Sequence, residues 1–310
     1  MRALLPVPLL ALAAAAPATA QRWEARGDGF VVRFGADEVL FRPPGVIVAG
    51  RTGGPSVTAA FFLWHGAYIY ERLDAGKVES GPALDGRGRL VQSGTWVMRE
   101  GAPPMRYTLT LEAQPGGVVA RLETEKSADL KLTQGLWCTL SLDRGAFSGG
   151  QRLWARPGMH GRIGKALAGE CEALLIELVP GHAVSFAGSG FTPLRSRVGD
   201  TTQGFEMCLR PGDFPVGEKA EAVLRVGFEA MPAEFPGEIK PSRQPLSLGR
   251  VTPATGRVAQ FGKLELTVDL KATWDNPFDP DDVALDAEVV TASGKRYTQP
   301  GFFMVDHQRQ

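Results

Sequence analysis

Several things are scarce in this sequence, and each scarcity removes a class of protein. No nucleophile elbow, phosphate loop or zinc-ligand spacing occurs anywhere in its 310 residues, so the reaction types that depend on those motifs have no visible machinery. Cysteine occurs three times, at Cys138, Cys171 and Cys208, where a disulfide scaffold needs more of them in a shorter chain. One bridge with one thiol left over stays open. Cys138 sits on the alternating run Leu136, Cys138, Leu140, Leu142 and reads as a small buried hydrophobe. Net charge is absent too: Lys plus Arg equals Asp plus Glu at 34 each. That balance leaves no electrostatic footprint for nucleic acid. Helical periodicity is nearly missing; "RIGKALAGECEALL", Arg162 to Leu175, is the lone candidate, and its glycines weaken it.

What is present begins with "MRALLPVPLLALAAAAPATA". A basic start at Arg2, an apolar run from Leu4 to Ala16 and the small-x-small Ala18-Thr19-Ala20 make a secretory leader, with cleavage before Gln21. The apolar run is too short to span a bilayer, and no later segment is apolar for long enough. The expected location is therefore secreted or periplasmic, with no membrane partner after cleavage. Gly at 38 and Pro at 23 are abundant and dispersed, which suits many short strands joined by tight turns.

Alternation dominates the rest. Tyr107, Leu109 and Leu111 face one way with Thr108 and Thr110 opposite; "QPGG", Gln114 to Gly117, then reverses the chain into Val118, Ala120 and Leu122. Ala173 to Gly188 reads as a second hairpin with Pro180-Gly181 at its tip, and Ala222, Leu224, Val226 and Phe228 mark a further strand. Four prolines between Glu229 and Gly249 interrupt any strand and mark a boundary. Beyond it Leu264–Leu270 and Val283–Val289 alternate again. The expectation is an all-β protein: a leader over 1–20, a large antiparallel β-sandwich over 21–241, and a smaller immunoglobulin-like sandwich over 242–310.

The last part carries a resemblance. Asn276-Pro277-Phe278, the strand Val283–Val290, the Ser293-Gly294-Lys295 turn and Pro300-Gly301-Phe302 resemble the immunoglobulin-like module that precedes the catalytic (β/α) barrel in a group of glycoside hydrolases. That resemblance implies further strands and then the barrel, so a truncated module and a missing C-terminal catalytic barrel are expected; the family's catalytic carboxylates have no counterpart here. The region 21–241 resembles the large double sheets of galactose-mutarotase-like and polysaccharide-lyase accessory domains in size, all-β pattern and secretion.

Candidate sites follow from chemistry. "FFLWHGAYIYERL" clusters Trp64, His65, Tyr68 and Tyr70; aromatic faces stack on sugar rings, although such residues equally build sandwich cores. In a strand, Trp64, Tyr68 and Tyr70 share a face, with His65 on the other. "RLWARPGMHGRIGK" carries Arg152, Trp154, Arg156, His160, Arg162 and Lys165 with no acid among them. Arginine forks suit carboxylates, and Trp154 and Arg156 would bind a sugar there, unless this is only a solvated basic loop. "DNPFDPDD" offers Asp275, Asp279, Asp281 and Asp282 as oxygen ligands for calcium, but without EF-hand spacing, and turn formation explains the same residues. The expected partner is a poly- or oligosaccharide, bound by a non-catalytic part of a carbohydrate-active protein. The alternative is a lyase or epimerase acting on an acidic sugar through Arg152, His160 and Arg162. His182, beside a turn, reads as an ordinary surface residue. No cofactor other than calcium is suggested.

Overall fold

In a computed structural model the described residues are 21–65, 69–96, 104–127, 134–147, 150–235, 242–259, 262–274, 281 and 283–301. The chain divides into two compact units between Phe235 and Pro236.

In the first unit 17 strands join one antiparallel sheet, and no α-helix occurs among the described residues. A meander opens it: β1 (Glu24–Arg26), β2 (Gly29–Phe34), β3 (Asp37–Arg42), β4 (Val46–Arg51) and β5 (Ser56–His65), with β6 (Ile69–Arg72) folded back on β5. A second meander follows: β7 (Lys77–Leu84), β8 (Leu90–Trp96), β9 (Met105–Gln114) and β10 (Gly117–Lys126). Strand β11 (Gly135–Asp143) returns beside β5. The hairpin β12 (Arg152–Arg156)/β13 (Met159–Arg162) then leads to the long pair β14 (Ala168–Val179)/β15 (His182–Val198). Strand β16 (Thr202–Arg210) lies between β11 and the end of β15, while β17 (Lys219–Ala230) lies between the start of β15 and β10.

Strand β15 thus serves two wings: its first half belongs with β17 and β10, its second with β16 and β11. The sheet curls until the inner faces of both wings share one core. Phe41, Ile47, Phe61, Leu63 and Leu140 reach that core from one wing, and Leu90, Leu109, Leu122 and Leu224 from the other. Period-two alternation produces this directly, because every second side chain of a strand points to the same face.

Both expected hairpins are present. In Gln114–Gly117 and Val179–His182 a Pro–Gly pair forms the tip, with Gly116 at φ +81° and Gly181 at φ +78°; proline presets the first turn position and only glycine is at ease in the second. The helical candidate resolves differently. Arg162–Leu175 is the end of β13, a loop in which Gly164 sits at φ +93°, and the first half of β14. Its periodicity is ambiguous for a physical reason: Ala173–Ile176 is buried on both faces, so the outward Ala173 and Leu175 are apolar too. Leu174 and Ile176 enter the main core, while Ala173 and Leu175 are covered by Met231 and Phe235.

The second unit contains two separate ribbons, β18 (Ser242–Pro253) with β19 (Leu266–Trp274), and β20 (Asp286–Val290) with β21 (Arg296–Pro300). The Thr291–Lys295 turn is closed by the Thr291 amide donating to the Lys295 carbonyl and has Gly294 at φ +81°. Among the described residues of this unit only Ala272 is buried.

Candidate functional site

The outer, solvent-facing side of one wing presents an ordered lattice. Thr58, Ser141, Gly204 and Arg197 form one row across β5, β11, β16 and β15; Ala60, Thr139, Glu206 and Arg195 form the next. With strands ~4.8 Å apart, neighbours in a row are within reach of one small polar ligand. Arg72 of β6 borders the rows, and with it all of these residues except Glu206 and Arg195 line an open groove of about 550 Å³. Its floor offers hydroxyls from Thr58, Thr139 and Ser141, each able to donate and accept. Its guanidiniums are matched by carboxylates. Arg72 is bonded to both Asp74 oxygens, and Arg197 lies 3.2 Å from Glu206 while donating to the Tyr70 hydroxyl at 3.3 Å. The other Glu206 oxygen is buried without a hydrogen-bond partner.

The next row of the lattice, Phe62, Trp137 and Cys208, is apolar and buried. Trp64 and Tyr70, expected to share a face, do so as a cross-strand pair with ring centroids 5.1 Å apart. Trp137 meets Trp64 edge-on at 5.1 Å, and the Arg195 guanidinium lies 5.3 Å over the Trp64 ring. Trp64 is consequently only 4% exposed. Its ring faces are occupied by protein, so Trp64 supports the groove and offers no stacking platform. Tyr68 lies outside the described residues.

The basic stretch folds as β12–β13, and the hairpin register brings the predicted residues together: Arg152 opposes Arg162, and Trp154 opposes His160. Phe235 is packed over them, with His160 stacked at 5.0 Å, Trp154 at 5.8 Å and Arg152 at 5.2 Å. Arg152 binds both oxygens of buried Glu177 and donates to the Pro232 and Ala233 carbonyls. Burial pushes the Glu177 carboxyl up, but donors from Arg152 and the Gly181 amide outweigh it and hold the group below its ordinary value. The first two residues of the acidic-sugar constellation thus fasten the post-β17 segment to the sheet. Arg162 is exposed and donates to the Gly150 carbonyl.

His182 departs from the surface expectation: its Nε2 is 2.7 Å from Oδ2 of buried Asp37, and its ring stacks on Phe228. It links β15 to β3. Cys138, Cys171 and Cys208 are all free and buried; desolvation raises the Cys138 thiol to about 12 and the other two to about 11. Of the suggested calcium ligands, Asp275, Asp279 and Asp282 lie outside the described residues and Asp281 is exposed at a turn; among the described residues no cluster of three or more His, Cys, Asp or Glu side chains could hold a metal. Nor is any helix among the described residues long and apolar enough to cross a membrane.

The groove residues themselves escaped sequence reasoning. The available signal was small polar residues at outward positions of strands whose inward positions are all apolar, as in "SVTAAFFLW" and "GLWCTLSLD". Neither a protein-family model nor a curated protein matches this chain.

Proposed function

We propose that this is a secreted, non-catalytic carbohydrate-binding protein whose large sheet holds a neutral, hydroxyl-rich glycan in the groove across β5, β11, β16 and β15. The supporting observation is the row of hydroxyls flanked by guanidinium–carboxylate pairs. Such pairs place fixed donors beside fixed acceptors, which matches vicinal sugar hydroxyls, and their internal charge balance gives little preference for a charged ligand. The open groove, polar and apolar in about equal measure, suits a segment of a long chain better than a small enclosed substrate. The leader supplies the location, and the resemblance of the large region to carbohydrate-active double sheets points to the same substrate class. Affinity electrophoresis of the purified chain against xylan, β-glucan and mannan tests the reading. Retardation by at least one, without new reducing ends, is expected; free migration in all of them, or turnover, contradicts it.

A further inference from the structure

The other wing carries a separate hollow on its own outer face, of about 250 Å³. Here the lattice is built from short side chains: Ala173 pairs with Ala187, and Ser185 with Gly227, which pairs with Gly117. Large residues stand only at the margins, and two of these are arginines. Arg156, Ala173, Ala187 and Arg225 occupy one row across β12, β14, β15 and β17, so the arginine backbones are about 14 Å apart; Met231 and Phe235 cover Ala173, and Ala187 with the Ser185–Gly227 pair gives the hollow its low floor.

The charge pattern differs from that of the first groove. Arg156 gives one nitrogen to Glu229 at 3.2 Å, and Arg225 gives one to the Gly188 carbonyl at 2.6 Å. A guanidinium has five N–H donors, so both retain donors, and the hollow holds two cations against the one carboxylate of Glu229. Arg156 also lies 5.9 Å over the Trp154 ring, which fixes its plane before any ligand arrives. The Ser185 hydroxyl lies at the floor; a methyl group at Gly227 would come within 3.0 Å of it.

We propose that this hollow is a second binding site, selective for a carboxylate-bearing sugar residue, that is, a uronate unit of an acidic glycan. Arg156 and Arg225 take the carboxylate, while Ser185 and Glu229 take ring hydroxyls. The site is independent of the neutral-glycan reading above: it lies on the opposite wing, and β15, the strand common to both, gives each a different set of residues.

Isothermal titration of the full chain with trigalacturonate, trimannuronate and their methyl esters tests it. At least one acid form is expected to bind at least tenfold tighter than its ester, with affinity falling as salt rises. Arg225→Gln and Arg156→Gln should each weaken that binding about tenfold or more, and Gly227→Ala should weaken it without altering charge. A thermal melt of each variant confirms folding, and unchanged retardation by the neutral polysaccharide shows that the first groove is intact. Equal affinity for acid and ester, no binding of either acid, or full binding by Arg225→Gln overturns the proposal. Loss of acid binding in a variant that blocks the first groove, with full binding in Arg225→Gln, overturns it as well by placing the acid there.

Discussion

The two units of this chain are written in the same alternating code and end up differently. In the large unit, alternation delivers side chains such as Leu140 and Phe205 to a core where they have no exposure at all. In the C-terminal unit, Leu246 and Leu248 lie on a ribbon strand at 81% and 61% exposure. Period-two patterning therefore specifies a strand and which residues share a face; it does not specify what covers that face. Coverage in the large unit comes from the opposite wing, where Phe61 and Leu140 share one core with Leu122 and Leu224.

The difference can be broken by mutation. Phe205→Ala should destabilise the large unit by about 3–5 kcal/mol, the range for emptying a buried aromatic site, whereas Leu248→Ala should change stability by no more than about 0.5 kcal/mol. Urea denaturation of both variants measures this; similar losses would mean that the ribbon is as buried as the core.

Next in size is the Arg152–Glu177 pair. Arg152→Ala leaves a carboxylate that is 5% exposed without its partner, an effect of about 3 kcal/mol for a broken buried pair. It should loosen the segment that ends at Phe235, read by faster amide exchange there. The pair also carries a pH signature. Because the Glu177 carboxyl is held below its ordinary value of 4.5 in the folded chain, the unfolded chain takes up this proton first as the pH falls. The stabilisation is thus whole well above 4.5 and vanishes as the pH drops through the lower folded value. Glu177→Gln should destabilise at pH 7 and matter much less at pH 3; equal effects at both would contradict the assignment.

The smallest expected effect is an absence of reaction. With thiols raised to about 11 and 12 by burial, Cys138, Cys171 and Cys208 should all resist iodoacetamide at pH 8 in the native chain and all react in denaturant, as read by mass spectrometry.

Much of this fold was legible in the sequence. The two Pro–Gly hairpins, the strand through Cys138 and the all-β class follow from alternation and turn chemistry. The proximity of Trp154 to His160 and of Arg152 to Arg162 was also within reach, because a tight hairpin register sets both. What Arg152 does was not legible, since its partner Glu177 and its lid Phe235 are brought to it by other elements. The hydroxyl groove was hidden for the same reason: Thr58, Thr139 and Gly204 are unremarkable on their own strands and become a surface only when β5, β11 and β16 lie side by side. For Trp64 the sequence left a sugar-stacking and a core role open, and the fold decides for the core by enclosing the ring.

Gly204 gives the most direct test of the groove. A Cβ there would meet only the Leu140 carbonyl, at an ordinary 3.7 Å, so Gly204→Tyr should fill the groove while leaving the sheet intact. Binding of the best neutral polysaccharide by this variant, compared with the unmodified chain at matched thermal stability, is the measurement to make. A fall in affinity of about tenfold or more is expected for a ligand displaced from its floor; unchanged affinity in a folded variant would contradict carbohydrate binding on this face.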